Sequence, residues 1–312
     1  MRICVIGVGG VGGYFGGRLA AAGNSVAFIA RGKTLEALLR EGLRVESPLG
    51  DIELPKVEVT EDSAEVGEVD AVVLGVKAWQ VPEVARTLRP LIGDKTAILP
   101  LQNGVEAADQ IVAVHGVDHV LGGMCRIVSF VVEPGRIRHQ GVEPFASFGE
   151  LDNRHSERVA RLAATFSDAG VNTKVSPDIL SSIWQKFLFI APVSGLGAVA
   201  RVPVGGLRSC LETYNMLRDA MEEGEALAAA RGVTLADDAV DKTLDFVDGL
   251  PAEMTSSMQR DIMEGRPSEL DSLNGAVIRY GRVAGVATPV HRCIYAALAP
   301  MEAAARRAAN SR

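Results

Sequence analysis

An α/β domain followed by an all-helical one is the fold class this sequence predicts, and three features predict it. The chain opens on a short apolar run, Ile3, Cys4, Val5 and Ile6, that ends in glycines at G-x-G-x-x-G spacing: Gly7, Gly9 and Gly12. Two more apolar runs, Val69–Val76 and Thr96–Leu101, alternate with helix-compatible stretches, as strands buried on both faces of a parallel sheet do. From Ser176 onward strand-like alternation disappears and only helical periodicity remains. Residues 1–176 therefore read as a dinucleotide-binding α/β domain, and residues 177–312 as a nearly all-helical one.

Each glycine of the first turn has a distinct task in such a site. Gly7 permits the tight turn, Gly9 lets the backbone approach a pyrophosphate, and Gly12 lets helix and strand pack closely. The motif alone is weak, because 33 of the 312 residues are glycine. Its place directly after a strand and before a helix at Tyr14–Ala22 is what makes Gly7, Val8, Gly9, Gly10, Val11 and Gly12 a candidate phosphate loop. The second strand, Ser25–Ile29, carries no Asp or Glu at its end, where a ribose 2′-hydroxyl is usually bound. Ala30-Arg31-Gly32-Lys33 stands there instead. Two cations suit a 2′-phosphate and so NADP(H), although a solvated basic helix start would look the same.

Residues 43–60 alternate around Gly50-Asp51 as a hairpin or strand pair does. The run 69–76 ends at Lys77, a helix is expected over 81–91, and the run 96–101 ends at Gln102-Asn103-Gly104. Ligands of open α/β sheets bind at the carboxyl ends of the strands, which brings Lys77 and Asn103 into consideration; Asn-Gly is also an ordinary turn. Gly116–Gly149 reads as extra antiparallel strands completing the sheet, followed by a helix at Ser156–Ala169 and a last strand at Val171–Val175.

The helical half is expected to open with Ser176 as N-cap, Pro177 in the first turn and Asp178 beside it. Ile179, Ile183, Lys186 and Ile190 recur on one helical stripe. A lysine among isoleucines is either a desolvated general acid with a lowered pKa or a side chain snorkelling from the stripe's edge. Gly265, Arg266 and Pro267 end a helix that carries Ser257; Ser268 then caps another, with Glu269 in its first turn, Asp271 three residues on, and Gly275 marking close packing.

Composition narrows the classes. Hydrophobic residues are 47% of the chain, and the net charge of −7 argues against nucleic acid or an anionic membrane. No apolar run reaches the roughly 18–20 residues a bilayer span needs. Met1-Arg2 leads straight into a strand, so no secretory signal is expected. Four scattered cysteines suggest reduced, mostly buried thiols in a cytoplasm, and five unclustered histidines suggest no metal.

The order of these features resembles the ketopantoate reductase (2-dehydropantoate 2-reductase) family across essentially the whole chain. The most specific matches are V-K-A-W-Q at 76–80, L-Q-N-G-V at 101–105, W-Q-K at 184–186, S-S-M-Q-R-D-I at 256–262 and E-L-D-S-L-N-G at 269–275. The resemblance implies a Rossmann domain followed by a helical domain like that of 6-phosphogluconate dehydrogenase. It implies Lys186 as proton donor, Lys77, Asn103 and Glu269 as cofactor contacts, Glu269 also near the reacting carbonyl, Arg31 at the 2′-phosphate and Ser257 at the substrate. One departure stands out. The family carries substrate-binding asparagines four, eight and eighteen residues after the lysine, where this chain has Ile190, Ser194 and Val204. Ser194 remains a candidate substrate contact, and the pocket is expected to be more apolar than usual. Arg201 reads either as a replacement clamp or as an exposed helix end.

The expected reaction is NADPH-dependent reduction of a 2-oxo acid, ketopantoate to pantoate on the way to pantothenate and coenzyme A, in a cleft between the domains. The alternatives are a sister reductase for a more apolar 2-oxo acid or ketone, and an NADP(H)-binding sensor. The helical half is a candidate homodimer face.

Overall fold

Why the first strand can be buried on both faces is visible in its alternation. The computed structural model describes residues 1–311. In it β1 (Arg2–Ile6) sends Ile3 and Val5 into one core cluster and Cys4 and Ile6 into another. The described chain divides into two units: Met1–Gln102 with Ala107–Ile179, and Asn103–Glu106 with the chain from Leu180 on. The sequence had placed the change of character at Ser176-Pro177.

In the first unit the chain runs through α1 (Gly10–Ala21), β2 (Ser25–Ile29), α2 (Gly32–Glu41), β3 (Leu43–Glu46), β4 (Ile52–Leu54), β5 (Glu58–Thr60), α3 (Ser63–Val66) and β6 (Val69–Leu74). It continues through α4 (Val81–Ala85), β7 (Ile92–Pro100), α5 (Ala107–His115), β8 (Leu121–Arg126), β9 (Ser129–Glu133), β10 (Arg136–His139), β11 (Phe145–Glu150), α6 (Glu157–Asp168) and β12 (Asn172–Val175). The main sheet is parallel, in the order β5-β2-β1-β6-β7, as the Rossmann reading requires.

Three expectations need correction. The first helix begins at Gly10, not Tyr14, so the glycines belong to its first turns. The helix expected over 81–91 stops at Ala85, and a short 3₁₀ turn at Arg89–Leu91 contains Pro90, which has no N–H to continue a helix. The strands after Gly116 do not complete the main sheet. They build a sheet β4-β3-β10-β9 and another, β12-β11-β8. The glycines of α1 account for the first of these. A Cβ on Gly12 or Gly16 would strike the parallel sheet, at Gly7 O and at Phe28; one on Gly10, Gly13 or Gly17 would strike Ser129, Ile137 or Val45. The helix is therefore smooth on two faces and carries a sheet on each.

The second unit is helical: α7 (Ile179–Ala200), α8 (Val204–Ser209), α9 (Leu211–Ala230), α10 (Ala239–Asp248), α11 (Ser257–Met263), a π-helical turn at Asp271–Gly275 running into α12 (Ala276–Ala284), and α13 (Pro289–Asn310). Helix α7 starts at Ile179, two residues later than an N-cap at Ser176 predicts. The Ser176 N–H continues the strand ladder to Phe148 O at 3.0 Å, and the Ile179 N–H is capped by Asn153 Oδ1 at 3.3 Å. By length and composition α7 could cross a membrane, where the sequence reading found no apolar run long enough; two-thirds of that stretch is buried inside the protein. Its buried face is Trp184, Phe187, Leu188 and Ala191, while Ile183, Lys186 and Ile190 are only half-buried.

Two buried amides hold α7 in place. Asn274 Nδ2 donates to Ala191 O at 3.2 Å, and Gln259 Nε2 to Gly197 O and Val202 O at 3.0 and 2.9 Å. Gly195 and Gly197 leave room for these amides, since a Cβ on either would lie 2.7 Å from the nearer amide atom. No disulfide forms among the described residues; Cys4 and Cys125 are buried, and burial pushes the Cys4 thiol up to about 12. Cys210 and Cys293 are exposed, against the expectation of mostly buried thiols.

Candidate active site

In the first unit the glycine turn has the shape of a phosphate cradle. Gly7 adopts φ +90°, which side chains rarely tolerate, and Gly12 lies so close to Gly7 O that a Cβ would stand 2.1 Å away. Gly9 differs: nothing lies within 4 Å of its missing Cβ, so the space above it is open. Gly9 is the N-cap of α1, and the first-turn N–H groups have no intrahelical acceptor. Open space, unclaimed donors and the helix dipole together fit a pyrophosphate. Val8 is buried, while Gly10 and Val11 are half-buried.

At the end of β2, Arg31 is exposed and N-caps α2; it makes a 3.5 Å ion pair with Glu83, also exposed. A surface pair of this kind contributes little, so a phosphate can displace it. Lys77, after β6, is exposed, with its Nζ 5.7 Å from the Trp79 ring centre. Gln102, which the sequence offered only as part of a motif, is buried and binds Leu74 O and Val76 O at 2.9 and 3.0 Å, fastening the carboxyl end of β6.

In the second unit three of the predicted residues meet. Lys186 Nζ donates to Asn103 Oδ1 at 2.8 Å, and Asn103 Nδ2 donates to Glu269 Oε2 at 3.4 Å. The amide is thus oriented by charge, its oxygen toward the ammonium and its NH₂ toward the carboxylate. Glu269 is 5% exposed and Lys186 half-buried. A half-buried ammonium held by an amide oxygen, with a buried carboxylate behind it, can bind and protonate an oxygen of a small molecule.

The other predicted contacts do not join this group. Ser194 is fully enclosed, and its Oγ has no hydrogen-bond partner among the described residues. Ser257 is half-buried in the first turn of α11, whose N-cap is Ser256. Val204 is 1% exposed within the core, Ile190 is half-buried, and Arg201 is exposed in left-handed conformation (φ 57°) just past the end of α7.

What holds Ser268, the neighbour of Glu269, was missed by the sequence reading. Ser268 does accept a bond from the Leu270 N–H, at 3.3 Å, but its partner is not Asp271. Its main-chain N–H and its Oγ both donate to Glu302 of α13, at 3.0 and 2.5 Å to Oε2. Arg306 pairs with Glu302 at 2.6 Å and donates to Ser268 O at 3.1 Å. Glu302 lies 34 residues downstream, and no local pattern marks it. Glu302→Ala should cost about 1–3 kcal/mol, the usual cost of a buried donor left unsatisfied. A lower urea midpoint at unchanged slope would register that loss; an unchanged midpoint would contradict it.

Residues 3–153 match the family described as ketopantoate reductase PanE/ApbA, and residues 178–302 match its C-terminal domain. The chain belongs to the ketopantoate reductase family. It is accordingly an oxidoreductase, and ketopantoate reductases use NADPH. The chain is 32% identical over 295 residues to the 2-dehydropantoate 2-reductase of Halobacterium salinarum, covering 94% of this chain and 96% of that one. It is 31% identical over 303 residues to the Bacillus subtilis protein named "Uncharacterized oxidoreductase YkpB", covering 97% and 99%. Among solved structures, 2-dehydropantoate 2-reductase from Geobacter metallireducens GS-15 superposes with a TM-score of 0.88 at 32% identity, covering 96% of this chain and 99% of that one.

Proposed function

We propose that this member of the ketopantoate reductase family reduces ketopantoate to pantoate with NADPH. The observation that carries the reading is the Lys186–Asn103–Glu269 chain of hydrogen bonds. Bound NADPH supplies a hydride to the keto carbon. Lys186 hydrogen-bonds the keto oxygen, stabilises the negative charge that builds there, and delivers the proton that completes the hydroxyl. Asn103 keeps the ammonium aimed, and the Glu269 carboxylate holds Asn103. The glycine turn and the first N–H groups of α1 hold the pyrophosphate, with Arg31 on the 2′-phosphate and Lys77 as a further cofactor contact.

A second reading is a reductase of the same chemistry acting on a more apolar 2-oxo acid. Ile190, Ser194 and Val204 favour it, because none offers an amide to a hydroxylated substrate. Initial rates of NADPH oxidation with ketopantoate, 2-oxoisovalerate and phenylglyoxylate separate the two. Ketopantoate should be fastest; a higher kcat/KM for either of the others would replace it.

Arg31→Ala tests the cofactor assignment. It should raise the KM for NADPH by roughly 10–100-fold, the worth of a hydrogen bond to a charged group, and leave the KM for NADH unchanged. Equal effects on both cofactors would mean that Arg31 does not read the 2′-phosphate.

A further inference from the structure

One side chain of α12 joins the two segments that carry Asn103 and Glu269. Arg279 Nη2 and Nε donate to the two oxygens of Glu106, at 2.8 and 3.3 Å. Its Nη1 donates to Asp271 Oδ1 and its Nη2 also to Asp271 O, both at 2.9 Å. Glu106 stands three residues after Asn103, and Asp271 two residues after Glu269. Tyr295 of α13 donates to the same Asp271 Oδ1 at 3.2 Å, so the aspartate is itself held.

The two segments also touch directly. Gly104 adopts φ +105°, and a Cβ there would lie 3.0 Å from Ser272 O. Asp271–Gly275 is the π-helical turn, in which Gly275 N bonds Leu270 O at 3.0 Å; such turns gather at functional sites. Burial works against the Arg279 charge, yet the hydrogen bonds and fields of Glu106 and Asp271 hold the guanidinium above its ordinary pKa. An isolated surface pair would contribute little, but this guanidinium is bidentate to one carboxylate whose side chain is only 16% exposed, and is shared with a second.

We propose that Arg279 is a positioning residue that fixes the separation of Asn103 and Glu269 and so holds the Lys186 ammonium in its reactive place. The proposal rests on the reading of Lys186 as proton donor. Arg279 acts through the two residues it bonds, Glu106 and Asp271. A small displacement of a catalytic group is enough to matter, since about 1 Å can cost on the order of 10²-fold in rate.

Steady-state kinetics of the full chain with NADPH and ketopantoate, for Arg279→Ala and Arg279→Lys, test it together with Glu106→Gln. Arg279→Ala should lower kcat roughly tenfold or more, within the range such displacements produce. The KM for NADPH should stay within about twofold, since the phosphate loop is untouched. Arg279→Lys should recover part of the loss. In a Lys186→Ala background the same Arg279→Ala change should lower kcat no further, because groups that act as a unit are not additive. An equal fall in both backgrounds, or a kcat within threefold of the parent, would overturn the proposal.

Hydrogen exchange of the substrate-free variants gives a second measure. Peptides covering 103–106 and 269–275 should exchange faster together in Arg279→Ala and in Glu106→Gln; two unchanged peptides would also overturn it. Failure of the proton-donor reading looks different, since Lys186→Ala would then keep its turnover whatever the exchange of these peptides.

Discussion

Lys186→Ala should reduce turnover roughly 10²–10⁴-fold, the usual worth of a positioned general acid, and leave NADPH affinity within about twofold. The expectation follows from where the ammonium ends. Lys186 Nζ bonds Asn103 Oδ1 at 2.8 Å, and Asn103 bonds the buried Glu269. Alanine at 186 removes the donor to the keto oxygen but leaves the glycine turn and Arg31 intact, so cofactor binding persists while the chemical step slows. Because Lys186 is half-buried and off the packed face of α7, its removal should cost about 0.5–1.5 kcal/mol, the worth of its hydrogen bond to Asn103, and leave the protein folded. That separates lost chemistry from lost fold. Stopped-flow NADPH oxidation gives the rate, and a fluorescence titration of NADPH gives the affinity. A fall of less than tenfold would mean that Lys186 only snorkels from the edge of its stripe.

The features legible in the sequence are those whose cause is local. The apolar run of β1, the glycine spacing after it and the basic end of β2 each carry their reason within a few residues, and the structure has strand, turn and helix start there. Features set by distant partners were not legible. Of the stripe Ile179, Ile183, Lys186 and Ile190 only Ile179 is fully buried, because α7 is apolar on most of its circumference and packs Trp184, Phe187 and Ala191 into the helical core, where Asn274 bonds Ala191 O. Ser268 was recognisable as a cap, yet its partner is Glu302, from a helix 34 residues away. Gly10 was read as part of the phosphate loop, and nothing local marked Gly13 or Gly17; all three make room for β9, β10 and β3. Asn103 read as a turn residue or a cofactor contact, and only folding reveals that its amide spans Lys186 and Glu269.

The two inner glycines of the turn should fail in different ways, and the contrast tests the cradle. At Gly12 an added Cβ would lie 2.1 Å from Gly7 O, and a Cβ on Gly75 would lie 2.6 Å from Gly12 Cα, so both neighbours are backbone and neither can rotate away. Gly12→Ala must push α1 off the sheet, and overpacking of this kind costs about 1–3 kcal/mol, here toward the upper end. The phosphate-binding end of the helix moves with it, so both stability and NADPH affinity should fall. Gly9 has φ −88° and ψ −162°, which any residue adopts, and nothing within 4 Å of its missing Cβ. Gly9→Ala should therefore leave the unfolding midpoint of the cofactor-free protein unchanged. Its methyl group would still occupy the space through which a pyrophosphate approaches the helix N–H groups, and NADPH affinity should drop by at least about 100-fold as those charge-assisted bonds lengthen. Calorimetric titration of NADPH beside thermal unfolding of the apoprotein reads both effects. A Gly9→Ala protein that binds NADPH as tightly as its parent would show that the phosphates do not sit over this turn, whatever the spacing of its glycines.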